Sequence, residues 1–227
     1  MVFSSPVFLF IFLTAVYILY RIIPSIRLKN MLLLLFSLLF YTYGEPEAII
    51  LMIISIIMNY IFGLLMKKEN KSRKAFLVFS IVFNLSMLGI FKYAGFGAEM
   101  LNKLPFLSVS IPSIALPIGI SFYTFQAMSY VIDAYKSPDY IQRNVFKLAL
   151  YITFFPQLVA GPIVKYYDFA DQIDHRESTP QMTAEGIRRF IIGLSKKLLI
   201  ANTMAVTADY VYSLETTELS IPLAWLG

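Results

Sequence analysis

Long runs of apolar residues constrain this chain more than any other feature of its sequence. A helix that crosses a bilayer needs about 20 mostly apolar residues, and such runs recur along the chain. Of the 227 residues, 58% are hydrophobic and only 15% are charged, whereas soluble domains carry about a quarter charged residues. The sequence therefore predicts an all-α fold, a polytopic transmembrane helical bundle, and excludes a soluble globular domain.

Five apolar runs are predicted to span the membrane, and two further helical stretches follow them. The predicted spans are Val7–Ile23, Met31–Tyr43, Ala48–Met66, Ala75–Tyr93 and Leu116–Ile132. The later stretches are an apolar segment at Val145–Ala160 and a long helix at Thr183–Tyr212. The second run is short, so it is expected to tilt, to lie in thinned bilayer, or to span only partly. We expect one membrane domain over residues 1–227, with a solvated loop at about 174–183.

The charges between the predicted spans alternate in sign. Arg21, Arg27 and Lys29 follow the first span, the next connection carries only Glu45 and Glu47, and the third is basic again at Lys67–Lys74. Basic loops favour the cytoplasmic side of a membrane. The pattern predicts a multi-pass protein of the cell (plasma) membrane with its N-terminus outside. The long, nearly neutral Ala94–Ala115 connection would then be external.

Composition also excludes several kinds of site. The chain has no cysteine, which removes disulfides and thiolate chemistry. Its only histidine, His175, lies in a polar stretch with no evident partner, so neither a metal site nor a Ser-His-Asp site is expected. The net charge of +5 is explained by basic membrane loops, and no nucleic-acid partner is expected. The apolar Ile221–Gly227 segment looks like the opening of another helix, so we expect an N-terminal fragment of a longer protein.

A polar stripe interrupts the fifth predicted span. Gly119, Gln126, Ser129, Tyr130 and Asp133 share one face if this segment is helical, because spacings of 3, 4 and 7 stack along a helix. Lipid cannot satisfy such groups, so the stripe should face the bundle interior or an aqueous cavity. Two interpretations stay open: the wall of a cavity or tunnel, and ordinary interhelical packing through polar contacts.

The Phe154–Ile163 segment cannot continue a straight helix. Pro156, Gly161 and Pro162 fall within it, and proline removes a helical hydrogen bond. Freed backbone groups at membrane depth must be buried in protein or line a cavity, where Gln157 and Lys165 would reach a substrate. The alternative is a helix end at the interface. The following residues predict an amphipathic helix on the membrane surface.

Lys196 and Lys197 interrupt an apolar run further along the chain. They are expected to snorkel to the interface at a junction of two shorter helices. The alternative is contact with an anionic group such as a phosphate or a lipid head group.

Several motifs resemble the membrane-bound O-acyltransferase (MBOAT) family, most of all its alginate O-acetylating branch. They are Met1–Ser5, Phe91–Tyr93, Leu116–Gln126, Tyr130–Asp133, Phe155–Ile163 and Lys196–Ala201. The resemblance covers nearly the whole chain. It implies a ring-like helical fold around a tunnel that passes an acyl group from a cytoplasmic donor toward an acceptor on the other side.

The resemblance also implies substrates and partners. The donor would be acetyl-CoA or another acyl thioester, with no bound cofactor, and the acceptor a cell-surface polysaccharide such as alginate. An extracytoplasmic acyltransferase partner is expected besides membrane lipid. The tunnel-lining candidates carried over from the matching motifs are Ser121, Tyr123, Gln126, Pro156, Gln157, Gly161 and Pro162.

One departure from the family pattern concerns catalysis. The family's catalytic histidine follows a tryptophan, but Trp225 is followed by Leu226 and His175 does not match. No catalytic residue is carried over, and the 227 residues alone are expected to be inactive. A transporter or flippase of an envelope precursor, a D-alanyl transferase acting on teichoic acid, and a non-catalytic scaffold stay open as alternatives.

Overall fold

The computed structural model describes residues 3–67, 72–102, 116–158, 161–215 and 219–226. It is an all-α protein within those residues, as the sequence predicts. The described chain forms two compact units, one made by Phe10–Arg176 and the other by Val2–Leu9 with Glu177–Gly227. Several segments named in the sequence analysis lie outside the described residues. They are Lys68 and Lys71 of the basic loop, most of the Ala94–Ala115 connection, and residues 159 and 160.

Eleven α-helices follow one another in the described residues. They are α1 (Leu13–Ile22, after a π-helical segment Val7–Phe12), α2 (Ile26–Gly44), α3 (Ile49–Leu65), α4 (Arg73–Leu101), α5 (Ile120–Lys136), α6 (Val145–Thr153), α7 (Phe155–Leu158), α8 (Tyr166–His175), α9 (Pro180–Ser195), α10 (Asn202–Ser213) and α11 (Ile221–Leu226). A π-helical segment, Lys196–Ala201, joins α9 to α10.

The bounds of three predicted spans differ clearly from those of the helices. The fifth, predicted at Leu116–Ile132, is α5 at Ile120–Lys136, and the other two are α2 and α4. Helix α2 begins at Ile26 and has 19 residues, about 29 Å at 1.5 Å per residue, so its length is sufficient for a full span. Its first five residues include Lys29, whose ammonium lies 4.8 Å from the Tyr20 ring centroid, and the buried Asn30. Helix α4 continues through Ala94 to Leu101, so the first part of the expected external connection is helical.

Helix α5 forms the centre of the first unit. It packs against α3, α4, α6 and α8, and Tyr123, Ala127 and Tyr130 are completely buried. On α3, Gly63 allows Tyr130 to approach closely, because a Cβ at Gly63 would overlap the Tyr130 hydroxyl. The Tyr130 ring meets the Tyr166 ring edge-on at a centroid distance of 4.9 Å. These contacts fix α3, α5 and α8 around one aromatic core.

A buried polar cluster joins α3 to α4. Asn59 Nδ2 donates to Asn84 Oδ1 at 3.1 Å, and Asn84 Nδ2 donates to Asn59 Oδ1 at 2.8 Å. Ser80 Oγ also donates to Asn59 Oδ1 at 3.2 Å. Because Asn59 and Asn84 are fully buried, the reciprocal amide pair satisfies groups that lipid would leave without partners.

One end of the first unit carries most of its basic residues, and we call it the basic face. Arg73 at the start of α4 donates to the Tyr135 carbonyl at the end of α5 at 2.5 Å. Asn30 near the start of α2 donates to the Ile173 carbonyl at 2.9 Å. Glu45 and Glu47 lie beyond the other end of α2 and α3, at the opposite face.

The second unit consists mainly of one long helix. Pro180–Ser213 runs for 34 residues without a break, and none of its most apolar window is buried. The expected junction of two helices at Lys196 and Lys197 is instead a π-helical segment within this continuous helix. Lys197 Nζ donates to Ser4 Oγ at 2.7 Å. The helix is long and apolar enough to span a membrane.

The Asn59–Asn84 pair generates a stability prediction. Asn59→Leu should destabilise the protein because it leaves the Asn84 amide buried without its main partner. Adding Asn84→Leu should restore part of the loss, with a coupling energy of about 0.6–1.7 kcal/mol, the range measured for interhelical hydrogen bonds in membranes. Reversible unfolding of both single variants and the double variant in mixed micelles measures this coupling. Additivity within about 0.3 kcal/mol would contradict the pairing.

Candidate functional site

Helix α5 begins at a tight turn that only glycine accommodates well. Gly119 has a φ of 78°, in the left-handed region where a Cβ is disfavoured. A Cβ built there would also lie 3.1 Å from the Leu158 carbonyl oxygen. Gly119 therefore lies just before the helix and outside the predicted stripe, and it brings the start of α5 beside α7.

The rest of the predicted stripe faces the protein interior. Gln126, Tyr130 and Asp133 are all buried, and Ser129 is half-buried. The period-based prediction of a shared inward face is confirmed for these side chains. Their hydrogen bonds divide the stripe into two parts with different properties.

The part of the stripe near the basic face is satisfied by protein. Tyr130 OH accepts from the Gln142 backbone N–H at 3.3 Å. Ser129 Oγ and Asp133 Oδ2 accept from the first two N–H groups of α8, those of Tyr166 and Tyr167, both at 3.4 Å. A carboxylate is favourable at a helix N-terminus. For this part of the stripe, the interpretation as ordinary interhelical packing through polar contacts therefore applies.

Helix α8 is amphipathic as predicted, but its apolar side packs on protein. Tyr166 and Ile173 are buried, and the Tyr166 ring contacts Tyr151 at a centroid distance of 5.1 Å. Burial raises the pKa of Tyr166 to about 12, so its hydroxyl stays protonated at physiological pH. That hydroxyl accepts from Gln142 Nε2 at 2.9 Å. The sequence predicts that this apolar side lies on the membrane surface, but in the structure it packs against α5 and α6.

The part of α5 nearer its N-terminus holds buried polar atoms without partners. Among the described residues, Tyr123 OH, Thr124 Oγ1 and Gln126 Oε1 make no hydrogen bond, although their side chains are at most 1% exposed. Tyr41 OH on α2 also lies outside hydrogen-bonding geometry. It approaches Tyr123 OH closely enough for the two hydroxyls to interact, and the two ring centroids lie 6.4 Å apart. An unsatisfied buried group costs about 1–3 kcal/mol. We call these four residues the unpartnered cluster; Tyr123 and Gln126 share one side of α5, whereas Thr124, two residues before Gln126, lies on another.

The broken helix α6–α7 is held inside the protein. Thr153 Oγ1 donates to the Ala149 carbonyl at 2.8 Å, and α6 ends at Thr153. The backbone N–H of Phe155, just after the break, donates to Ser37 Oγ of α2 at 3.2 Å. Gln157 Nε2 donates to the Tyr151 carbonyl at 3.0 Å. Side chains thus replace the helical bonds that the break removes, which favours the broken-helix interpretation over a helix end at the interface.

The segment from α6 to α8 enters and leaves at the basic face. Lys147, in the first turn of α6, pairs with Asp174 near the end of α8 at 2.6 Å. Tyr60 OH donates to the Arg143 carbonyl just before α6 at 2.8 Å, and Ile173 is held by Asn30. The described residues between 145 and 173 therefore form a re-entrant hairpin. They do not cross from one face to the other.

The returning arm of the hairpin begins at Gly161. A Cβ on Gly161 would lie 2.9 Å from the Gln157 Cα, so glycine permits the chain to turn back on α7. Tyr151 OH donates to the Val164 carbonyl at 2.6 Å, which ties the returning arm to α6. Pro162 and Pro156 are exposed to the surroundings of the unit.

The seven tunnel-lining candidates have different surroundings. Tyr123 and Gln126 belong to the unpartnered cluster, and Ser121 is half-buried in the first turn of α5. Gln157 holds the broken helix, Gly161 permits its turn, and Lys165 is exposed with its ammonium 5.5 Å from the Tyr167 ring centroid. The start of α5 approaches α7 where Gly119 lies beside the Leu158 carbonyl.

Sequence reasoning missed Tyr41, Thr124 and Ser37. A signal for two of them exists, because Asn30, Ser37 and Tyr41 recur at spacings of 7 and 4 on α2 and are all buried. His175 ends α8 and is exposed, as expected. Within the described residues, no group of three or more His, Cys, Asp or Glu side chains could hold a metal ion.

Comparison with known proteins shows where the sequence belongs. The model of the membrane-bound O-acyltransferase family matches residues 38–225. The chain is 38% identical to "Probable alginate O-acetylase AlgI" of Pseudomonas aeruginosa and 38% identical to the protein of the same name from Azotobacter vinelandii. It is 30% identical to "Peptidoglycan O-acetyltransferase" of Helicobacter pylori.

These alignments cover 100% of this chain but 44%, 46% and 49% of the three relatives, so the chain spans about half their length. No solved structure matches significantly. The transporter and D-alanyl alternatives receive no support. Because the family model covers most of the chain, and the relatives align with all of it, this protein belongs to the membrane-bound O-acyltransferase family.

Proposed function

We propose that this chain is part of an enzyme that transfers an acyl group, most simply acetyl, across the plasma membrane toward a cell-surface polysaccharide. The names of its relatives, alginate O-acetylase and peptidoglycan O-acetyltransferase, support O-acetylation of a polymer. Alginate is the proposed acceptor, because the alginate-type relatives have the higher identity.

The observation that carries the proposal is the unpartnered cluster on α5 and α2. Membrane helices normally pair their interior polar groups, yet Thr124 Oγ1 and Gln126 Oε1 have no hydrogen-bond partner among the described residues. The Tyr41 and Tyr123 hydroxyls interact with each other but lie outside hydrogen-bonding geometry. Such atoms suit a space occupied by water or by the polar part of a passing substrate. Tyr123 and Gln126 would then line the passage, whereas Ser129 and Asp133 hold α8.

The remaining tunnel-lining candidates divide between two proposed roles. Ser121, half-buried in the first turn of α5, stays a tunnel-lining candidate, although its i,i+2 spacing places it on another side of the helix from Tyr123. Pro156, Gln157, Gly161 and Pro162 would shape the re-entrant hairpin that closes one side of it, since Gln157 and Gly161 already make structural contacts there.

The proposed orientation places the basic face in the cytoplasm. Arg27, Arg73 and Lys147 all belong to this face, and positive residues favour the cytoplasmic side. The N-terminus and Glu45 would then lie outside. The proposed donor, acetyl-CoA or another acyl thioester, would approach from the basic face, and the polysaccharide with an extracytoplasmic acyltransferase partner from the opposite one.

The first test concerns Gln126 in the complete protein. Gln126→Leu removes an amide whose oxygen is buried without a partner, so a purely structural role predicts unchanged or higher stability. If Gln126 lines the passage, polymer acetylation should fall about tenfold, which corresponds to about 1.4 kcal/mol. The measurement is the O-acetyl content of secreted polymer at equal membrane abundance.

A matched control lies one residue away. Phe125 is 40% exposed on the outer side of the same helix, and Phe125→Leu introduces the same residue away from the cluster. It should leave acetylation unchanged. Wild-type acetylation by the Gln126→Leu variant, or an equal loss in both variants, would contradict the role of the cluster.

The second test concerns the 227 residues alone. This sequence contains no Trp-His pair, and the resemblance to the family places the catalytic histidine after a tryptophan. We expect purified residues 1–227 in membranes to transfer no acetyl group from a thioester to polymer, as measured with radiolabelled donor. The complete protein in the same preparation is the control. Transfer by the 227 residues would overturn the expectation that they lack a catalytic group.

A further inference from the structure

A pocket opens at the basic face between the first turns of α2 and α6. It has a volume of about 150 Å³ and is lined by Arg27, Asn30, Met31, Asn144, Phe146 and Lys147. We call it the basic-face pocket. Neither helix carries an acidic residue in its first turn, so nothing there offsets the positive ends of the two helix dipoles.

The polar lining offers donors with few acceptors. The Arg27 side chain is exposed, and its guanidinium makes no hydrogen bond or ion pair with the part of the chain that the structure describes. Asn144 Oδ1 caps α6 by accepting from the Phe146 N–H at 2.9 Å, which leaves its Nδ2 as a donor. Lys147 is held by Asp174 at 2.6 Å. The arrangement suits an anion that accepts several hydrogen bonds.

A second cation, the Arg176 guanidinium, contacts a residue that lines the pocket. Asn30 Oδ1 accepts from Arg176 Nη1 at 2.6 Å, while Arg176 Nη2 is buried without a partner among the described residues. Asp174 is neutralised by Lys147, so Arg27 and Arg176 leave the surroundings of the pocket positive. Arg176 also donates to Tyr20 OH at 2.7 Å, which fixes its position against α1.

The apolar lining indicates what kind of anion fits. Met31 and Phe146 are 48% and 56% exposed. Met31 is the sixth residue of α2 and Phe146 is the second residue of α6, so both lie at the ends of helices of this membrane domain. A phospholipid places its phosphate at the interface and its acyl chains directly below. A free phosphate would gain nothing from these two side chains.

We propose that the basic-face pocket binds the phosphate of an anionic phospholipid, with Arg27 and Asn144 as donors and with Met31 and Phe146 against the acyl chains. The proposal is independent of the acyl-transfer function, because none of these residues belongs to the unpartnered cluster or to the re-entrant break. It predicts a specific lipid at a specific site, beyond the general attraction of basic loops to anionic membranes.

The test measures lipid binding to the purified chain. Native mass spectrometry in a zwitterionic detergent should show one retained phosphatidylglycerol in preference to phosphatidylcholine. Arg27→Gln should lower the bound fraction at least about fivefold, since each basic residue near an anionic surface contributes on the order of 1 kcal/mol. Asn144→Asp keeps the oxygen that caps α6 but replaces the donor with a negative charge, and should lower it further.

The matched control is Arg21→Gln, which removes the same charge from the last turn of α1 outside the pocket. It should leave phosphatidylglycerol binding unchanged, and thermal melting of each variant shows that it is folded. An equal loss with Arg21→Gln and Arg27→Gln would overturn the proposal in favour of non-specific surface attraction. Displacement of the lipid by millimolar inorganic phosphate would overturn it in favour of a free-phosphate site.

Discussion

The arrangement of this protein depends on satisfying backbone groups that a helix break frees inside the membrane domain. Helix α6 stops at Thr153, and no water-filled loop is needed to accommodate the break, because Ser37 accepts from the Phe155 N–H and Gln157 donates to the Tyr151 carbonyl. The hairpin can therefore turn back within protein. The returning arm of the hairpin brings Asp174 to Lys147, so both ends of the hairpin lie at the basic face. Helix α8 then packs against α5.

The same requirement explains why the two parts of α5 differ. Ser129 and Asp133 meet the N–H groups that the hairpin presents at the start of α8, and this region is packed and satisfied. Tyr123 and Gln126 lie beyond the reach of those groups and keep oxygens without partners. Their unmet hydrogen-bonding capacity costs stability, and it is the physical basis of the proposed passage in this part of the bundle.

The sequence predicts the apolar runs well, and it fails where polar residues belong to helices. Helix α3 has nearly its predicted bounds, since Pro46 and Lys67 flank a continuous apolar run. The start of α2 was missed because Lys29 and Asn30 look like a loop until their partners on Tyr20 and Ile173 are known. Inward orientation of Gln126 follows from helical period, but no local pattern reveals that its oxygen lacks a partner or that residues 145–173 return to the same face.

Sided labelling of single cysteines tests this layout most directly, because these 227 residues contain none. Asp139→Cys and His175→Cys flank the hairpin at exposed positions, and Lys67→Cys and Glu47→Cys mark the two faces. In intact cells, a membrane-impermeant maleimide should label Glu47→Cys and leave the other three unlabelled until the cells are opened. Labelling of Asp139→Cys and His175→Cys from opposite sides would make residues 145–173 a membrane crossing and contradict the re-entrant hairpin.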